Sequence, residues 1–286
     1  MKPLELKLYD SATRFLGDAE AHLERNEAAS NLLLGLAYAL AKQESAGQRL
    51  ALPELGTVRD GDGRIVLAYQ LNALNLVVQG DGPELEEAVR LVARHLVSTR
   101  REVPGVVGSV EAAKALAFEW GAAAGKTPFV KMNQRIYRLD RVNPVRISPG
   151  ALRLAEDGDA ELIASWLHEF AESIGETMSR EEAAAKSRDN IASGSLYVWE
   201  DGRPVSMAKK SRPTRHGIVV TLVYTPPSLR NKGYATSCVA SLSQRLLDDG
   251  YAFCSLYTDL ANPTSNDIYA KIGYNPVQDS ILYRFR

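Results

Sequence analysis

The residues Arg230 to Ala235, RNKGYA, join an apolar run that ends in Pro226 and Pro227 to a segment with Ala235, Val239, Leu242 and Leu246 on one helical face. A helix start carries unpaired N–H groups and the positive end of the helix dipole, so a glycine-containing turn leading into one can hold phosphate oxygens. Gly233 lets a ligand approach the backbone, while Arg230 and Lys232 add charge that suits a diphosphate. A bulky residue at Gly233 is therefore expected to fill the phosphate's space and leave the fold intact. The turn is neither a GxxxxGK[ST] loop nor a GxGxxG loop. Taken alone, a basic turn before a helix reads as a solvated loop.

The elements around the turn give it a context. The stretch Arg141 to Gly150, RVNPVRISPG, interrupts all periodicity with two prolines and a glycine and reads as a linker. After it, DGDAELIASWLHEFAESIG predicts a helix with Leu162, Ile163, Trp166, Leu167 and Phe170 on one face, and a second helix opens with Ser179 and Glu182 in capping-box spacing. A hairpin turning at Asp201-Gly202 follows, then the strand GIVVTLVYT, the helix behind RNKGYA stopped by Gly250, and the strand YAFCSLYTD. NPTSNDIYAKIG is a short helix capped by Asn262 with Pro263 in its first turn, and DSILYRFR is a closing strand. The first half repeats this order: two helical segments across residues 11–43, the strand pair TVRDGDGRIVLAYQ, the strand ALNLVVQ, a helix, the strand VPGVVG, a helix and the strand NQRIYRLD. The simplest account is two copies of one α/β fold.

Strand, VYTPPSLRNKGYAT, helix, strand and then NPTSNDIYAKIGY resembles the GNAT superfamily of acyl-CoA-dependent N-acyltransferases over about the whole second half. The superfamily's [RQ]xxGx[GA] signature is matched by Arg230, Gly233 and Ala235, and its downstream element by Asn262, Tyr269, Gly273 and Tyr274. The resemblance implies an α/β (α+β) fold of two tandem GNAT-like domains, each a mixed, mostly antiparallel sheet flanked by helices. It implies acetyl-CoA as co-substrate and no metal. By analogy the backbone of Val223, Tyr224 and Thr225, on a strand splayed from its neighbour, pairs with the pantetheine amides. Arg230, Asn231, Lys232, Gly233, Tyr234, Ala235 and Thr236 hold the pyrophosphate, and Asn262 and Ser265 complete the cofactor-binding set. Tyr269 corresponds to the tyrosine that donates a proton to the departing thiolate in many members. Outside that motif, a tyrosine in DIYAKIGY reads as a core aromatic with a satisfied hydroxyl. Many relatives carry a basic Glu on or near the fourth strand, whereas GIVVTLVYT has no carboxylate, leaving Glu172, Glu176, His168 and His216 as replacements or as solvated residues.

In the first half the turn at the equivalent place is QGDGPE, where Asp81 and Glu84 stand in place of basic side chains and repel an anion. The expected division is thus residues 1–142, a degenerate GNAT-like domain without a CoA-binding motif, and residues 143–286, the N-acetyltransferase domain. The leading function is acetyl transfer from acetyl-CoA to a primary amine by direct attack, with a small-molecule acceptor. The alternative is a non-catalytic acyl-CoA-binding sensor or regulator. A formal charge of −1 over 286 residues and one basic cluster, Ala208 to His216, argue against a nucleic-acid partner. No run is apolar and long enough for a bilayer, and Cys238 and Cys254 sit in apolar segments without metal or redox spacing. A cytoplasmic protein, monomer or homodimer, is expected, with no membrane partner.

Overall fold

The structure is a computed structural model and describes residues 3–48 and 53–286. Its contacts divide the chain into two compact units, residues 1–137 with 257–262 and 276–286, and residues 138–256 with 263–275.

The first unit runs β1 (Glu5–Tyr9), α1 (Ala12–Leu23), α2 (Glu27–Ser45), β2 (Glu54–Arg59), β3 (Ile65–Leu71), β4 (Leu76–Gly80), α3 (Leu85–Ser98), β5 (Gly105–Ser109), α4 (Val110–Ala124) and most of β6 (Pro128–Leu139). Its strands lie in the order β1-β2-β3-β4-β5-β12-β6, where β12 (Asn275–Phe285) is the last strand of the chain. Ser280–Arg284 pair antiparallel with Gly105–Ser109, and Ile281 and Tyr283 lie in the core that α3 and α4 make with the sheet. Leu282 points to the opposite cluster, among Phe15, Leu34 and Val107. Alternate residues of one strand thus serve the two faces of the sheet. The closing strand of the sequence packs with the first unit, so the second unit is not the uninterrupted run 143–286.

The second unit runs β7 (Ala151–Leu154), α5 (Ala160–Ser173), α6 (Arg180–Ala192), β8 (Leu196–Glu200), β9 (Pro204–Ser211), β10 (Gly217–Tyr224), α7 (Tyr234–Asp248), most of β11 (Phe253–Asp259) and α8 (Pro263–Ile272), with strand order β11-β10-β9-β8-β7. Only β10 with β11 is parallel among its pairs. The predicted capping box forms: Glu182 N–H donates to Ser179 Oγ at 3.1 Å and Ser179 N–H to Glu182 Oε2 at 2.8 Å. α5 buries Ile163, Trp166 and Leu167 against Leu196, Val198 and Met207, whereas Leu162 is exposed and Phe170 half-buried. Arg153 on β7 fixes the start of α5, donating to Asp159 at 2.6 Å and also to Glu200. Strands β1 and β7 are absent from the expected order. Both are short edge strands of four or five residues without fully buried side chains; Leu6 and Leu8 of β1, and Leu152 and Leu154 of β7, alternate with polar residues, a strand signal over too few residues to stand out beside the prolines and helices around it.

Candidate functional site

Strand β10 loses its ladder on both sides near its end. Its parallel pairing with β11 covers only Gly217–Val219 opposite Phe253–Ser255. Its antiparallel pairing with β9 matches Thr221 with Lys209 and Tyr224 with Met207, so Leu222 and Val223 face a single residue across a bulge. Leu222 adopts φ +49, a left-handed conformation uncommon for a residue with a side chain. Leu222 and Val223 thereby fall outside the regular register with β9 and have no register partner on β11. The next two carbonyls have donors already: Tyr224 O accepts from the Ser206 hydroxyl at 3.1 Å, and Thr225 O from Arg230 Nε at 3.0 Å. The buried Thr225 hydroxyl lies 2.8 Å from that of Ser206.

Arg230 thus braces the turn that follows β10. Beyond it, Asn231 (φ +63) and Gly233 (φ +81) bend the chain into α7. No side chain caps α7, and the first bond back to the turn runs from Ser237 N–H to Gly233 O at 3.0 Å. Among the described residues the N–H groups of Tyr234, Ala235 and Thr236 keep no backbone acceptor, the arrangement that holds anions. A Cβ on Gly233 would lie 2.7 Å from Ser148 Oγ, which itself donates to Lys232 O at 2.8 Å. The expectation that a bulky residue there spares the fold is corrected: linker residue 148 occupies that space, and the positive φ adds strain. Tyr234 Oη donates to Asp201 at 2.7 Å, which sends its ring to the hairpin turn between β8 and β9.

Tyr269, on α8, is buried, and burial pushes its phenol up to about 12. Its ring meets that of Tyr274 edge-on at 6.0 Å. The Tyr274 hydroxyl is 2.8 Å from Ser243 Oγ, whereas the Tyr269 hydroxyl has no hydrogen-bond partner among the described residues. The satisfied hydroxyl expected of a core aromatic belongs to Tyr274. Ser265 lies in the first turn of α8, and Asn262, whose N–H donates to Asp259 O at 3.0 Å, packs with the first unit.

The four replacement bases divide clearly. His168 Nδ1 bonds Met178 O at 2.7 Å, tying α5 to the segment before α6; Glu172, Glu176 and His216 are exposed. A fifth group was missed by sequence reasoning. Glu169 Oε2 accepts from the Tyr224 hydroxyl at 2.5 Å and its Oε1 from the Ser165 hydroxyl at 2.9 Å. The Tyr224 phenol is pushed up to about 12, by burial first and then by this bond. Trp166 and Phe170 flank the Tyr224 ring at 6.3 and 6.4 Å. The signal available in sequence was position: Glu169 borders the apolar stripe, one residue before Phe170 and three after Trp166.

The corresponding place in the first unit has no bulge like that of β10 and is held close by a side chain. β4 and β5 pair at Leu76–Val78 with Val106–Gly108, and the Ser109 hydroxyl still reaches Gly80 O at 3.4 Å near the strand ends. A Cβ on Gly108 would run into the Val78 carbonyl oxygen. The basic residues Lys209 and Lys210 of the cluster Ala208 to His216 are engaged, Lys209 with Asn190 Oδ1 at 2.6 Å and Lys210 over the Tyr197 ring. Both cysteines are buried and free, no helix of the described residues is long and apolar enough to cross a membrane, and those residues hold no cluster of metal-ligating side chains.

The model of the FR47-like protein family matches residues 202–282. No curated protein sequence matches the chain. Among solved structures, a GCN5-related N-acetyltransferase from Sphaerobacter thermophilus aligns over 99% of this chain and 96% of its own at 15% identity, with a TM-score of 0.62. A GNAT-family acetyltransferase from Colwellia psychrerythraea aligns over 98% of each chain at 14% identity and 0.57. A tandem GNAT protein from the clavulanic acid biosynthesis pathway aligns over 99% of this chain and 98% of its own at 13% identity and 0.56. Mostly antiparallel sheets flanked by helices, the same element order in both halves, and these full-length alignments agree: the chain has the fold of the GNAT superfamily, with two GNAT-like units in tandem.

Proposed function

We propose that the second unit is an acyl-CoA-dependent N-acyltransferase that moves an acetyl group from acetyl-CoA to a primary amine, and that the first unit is a degenerate copy without a cofactor site. The observation that carries this reading is a coincidence within the second unit. The out-of-register backbone of Leu222 and Val223 stands a few residues before the uncapped, glycine-led start of α7. Amide-bearing pantetheine suits the first feature and a diphosphate the second. The donor set therefore fits acetyl-CoA, which supplies the activated acyl group as a thioester. In this reading Val223 aligns the pantetheine, Thr225 and Arg230 shape the turn, and the N–H groups from Asn231 to Thr236 hold the pyrophosphate, with Lys232 adding charge. Ser265 contributes from the first turn of the last helix.

Tyr269 then serves the leaving group. A phenol at about 12 stays protonated at neutral pH, while an ordinary thiol ionises near ~8.5, so complete transfer of the phenolic proton is uphill. Its contribution is a hydrogen bond to sulfur as negative charge develops there.

Because β10 carries no carboxylate, a sensor that binds acyl-CoA without turnover is the second reading. A screen of primary amines of several classes with acetyl-CoA, followed by free thiol, separates the two. Amine-dependent thiol release is expected. Tight acetyl-CoA binding with no release across the panel would favour the sensor.

A further inference from the structure

Among the described residues, the half-buried carboxylate of Glu169 is held by neutral donors alone, the hydroxyls of Tyr224 and Ser165. Charged groups on the turn after β10, on α5 and on α6 make other contacts or line a groove. Arg230, on the turn after β10, spends its Nε on Thr225 O. His168 and Glu172, on α5 itself, lie 3.7 Å from one another. Arg180 and Arg188 of α6, with Glu161, line a groove of about 300 Å³ between α5 and α6 that also reaches Ser165 and His168. None of them forms an ion pair with Glu169.

An ionised carboxylate has about four acceptor positions, and two neutral hydroxyls fill only two of them. Tyr224 remains a donor throughout the neutral range, so the pair does not cancel the negative charge. What it does is fix that charge at one place: Tyr224 is the residue that ends the bulge of β10, immediately after Val223. The rings of Trp166 and Phe170 restrict the Tyr224 side chain on two sides. A base positioned on a helix and tied to the strand by a phenol supplies what β10 itself lacks.

We propose that Glu169 takes the proton from the acceptor amine, with Tyr224 and Ser165 as its positioning residues. The proposal rests on the acyl-transfer reading above. The amine nitrogen forms a bond to the acyl carbon, and the carbon–sulfur bond breaks with its electron pair going to sulfur. One proton passes from nitrogen to the Glu169 carboxylate and on to solvent through the groove at Ser165. The thiolate, hydrogen-bonded by Tyr269, takes a proton from solvent. Neutral amine and thioester become amide and thiol, with no other reactant.

The test uses the full chain, acetyl-CoA and the amine giving the fastest thiol release, with kcat and KM measured at neutral pH. Glu169→Gln keeps the acceptor oxygen for Tyr224 and removes the charge. It is expected to lower kcat by about 10²-fold or more. KM for the amine and acetyl-CoA affinity should stay within twofold and the melting temperature should be nearly unchanged. Tyr224→Phe should cost about tenfold in kcat and leave KM for the amine unchanged, as expected for positioning. An unchanged kcat in Glu169→Gln overturns the proposal while leaving acyl transfer standing. A raised KM with intact kcat also overturns it, making Glu169 an ammonium anchor instead. Wild-type protein that releases no thiol with any amine removes the acyl-transfer reading, and this proposal with it.

Discussion

Tyr269 and Tyr274 lie 6.0 Å apart and are both buried, but only the second has a hydroxyl partner, Ser243. That difference predicts opposite behaviour on removal of the oxygen. Tyr274→Phe leaves Ser243 without its partner and should destabilise the fold by about 1 kcal/mol, with little effect on rate. Tyr269→Phe removes a hydroxyl that bonds nothing among the described residues, so the melt should hold. If the phenol stabilises the leaving thiolate, kcat should fall by about 10²-fold while acetyl-CoA affinity moves little. Steady-state kinetics beside thermal melts of the two variants check the pair. A Tyr269→Phe enzyme with unchanged kcat returns that residue to the core.

The start of α7 and the bulge of β10 are built from backbone conformations that side chains resist. Gly233→Ala must place a Cβ at φ +81 and displace Ser148 Oγ from 2.7 Å. It should cost about 1–2 kcal/mol from the left-handed conformation alone. It should also weaken acetyl-CoA binding by at least tenfold, because the turn that aims the N–H groups is altered. Calorimetry with a melt on the same sample reads both, and an affinity within twofold of wild type would put the pyrophosphate elsewhere. Elements of this kind were legible in sequence where their determinants are local. The Ser179–Glu182 box, the Asp201-Gly202 hairpin and the basic turn before α7 are each set by a few adjacent residues. Glu169 was not legible, because its meaning comes from Tyr224, 55 positions away, and only folding brings the two together. The bulge at Leu222 was likewise hidden, since an apolar run reads as a continuous strand.

At the scale of the molecule, the least legible feature is the destination of β12. Its composition announces a strand, but pairing between Ser280–Arg284 and Gly105–Ser109 leaves no local trace in either segment. The consequence is testable by truncation. A chain ending at residue 275 loses Ile281 and Tyr283 from one cluster of the first unit and Leu282 from another. A fragment of residues 1–142 loses the same strand and should not fold cooperatively by itself. Far- and near-UV circular dichroism of that fragment should show a loosely packed state, and a sharp two-state melt would contradict the pairing. The two units also differ at the turn that leads into the following helix, basic and glycine-led before α7 and acidic at Asp81 and Glu84 before α3, so the tandem fold should carry a single cofactor site. Titration of the full chain with acetyl-CoA by isothermal calorimetry tests this most directly. One molecule bound per chain is predicted, with binding abolished by the double change Arg230→Glu and Lys232→Glu; two equivalent sites, or a single site indifferent to that change, would contradict the account.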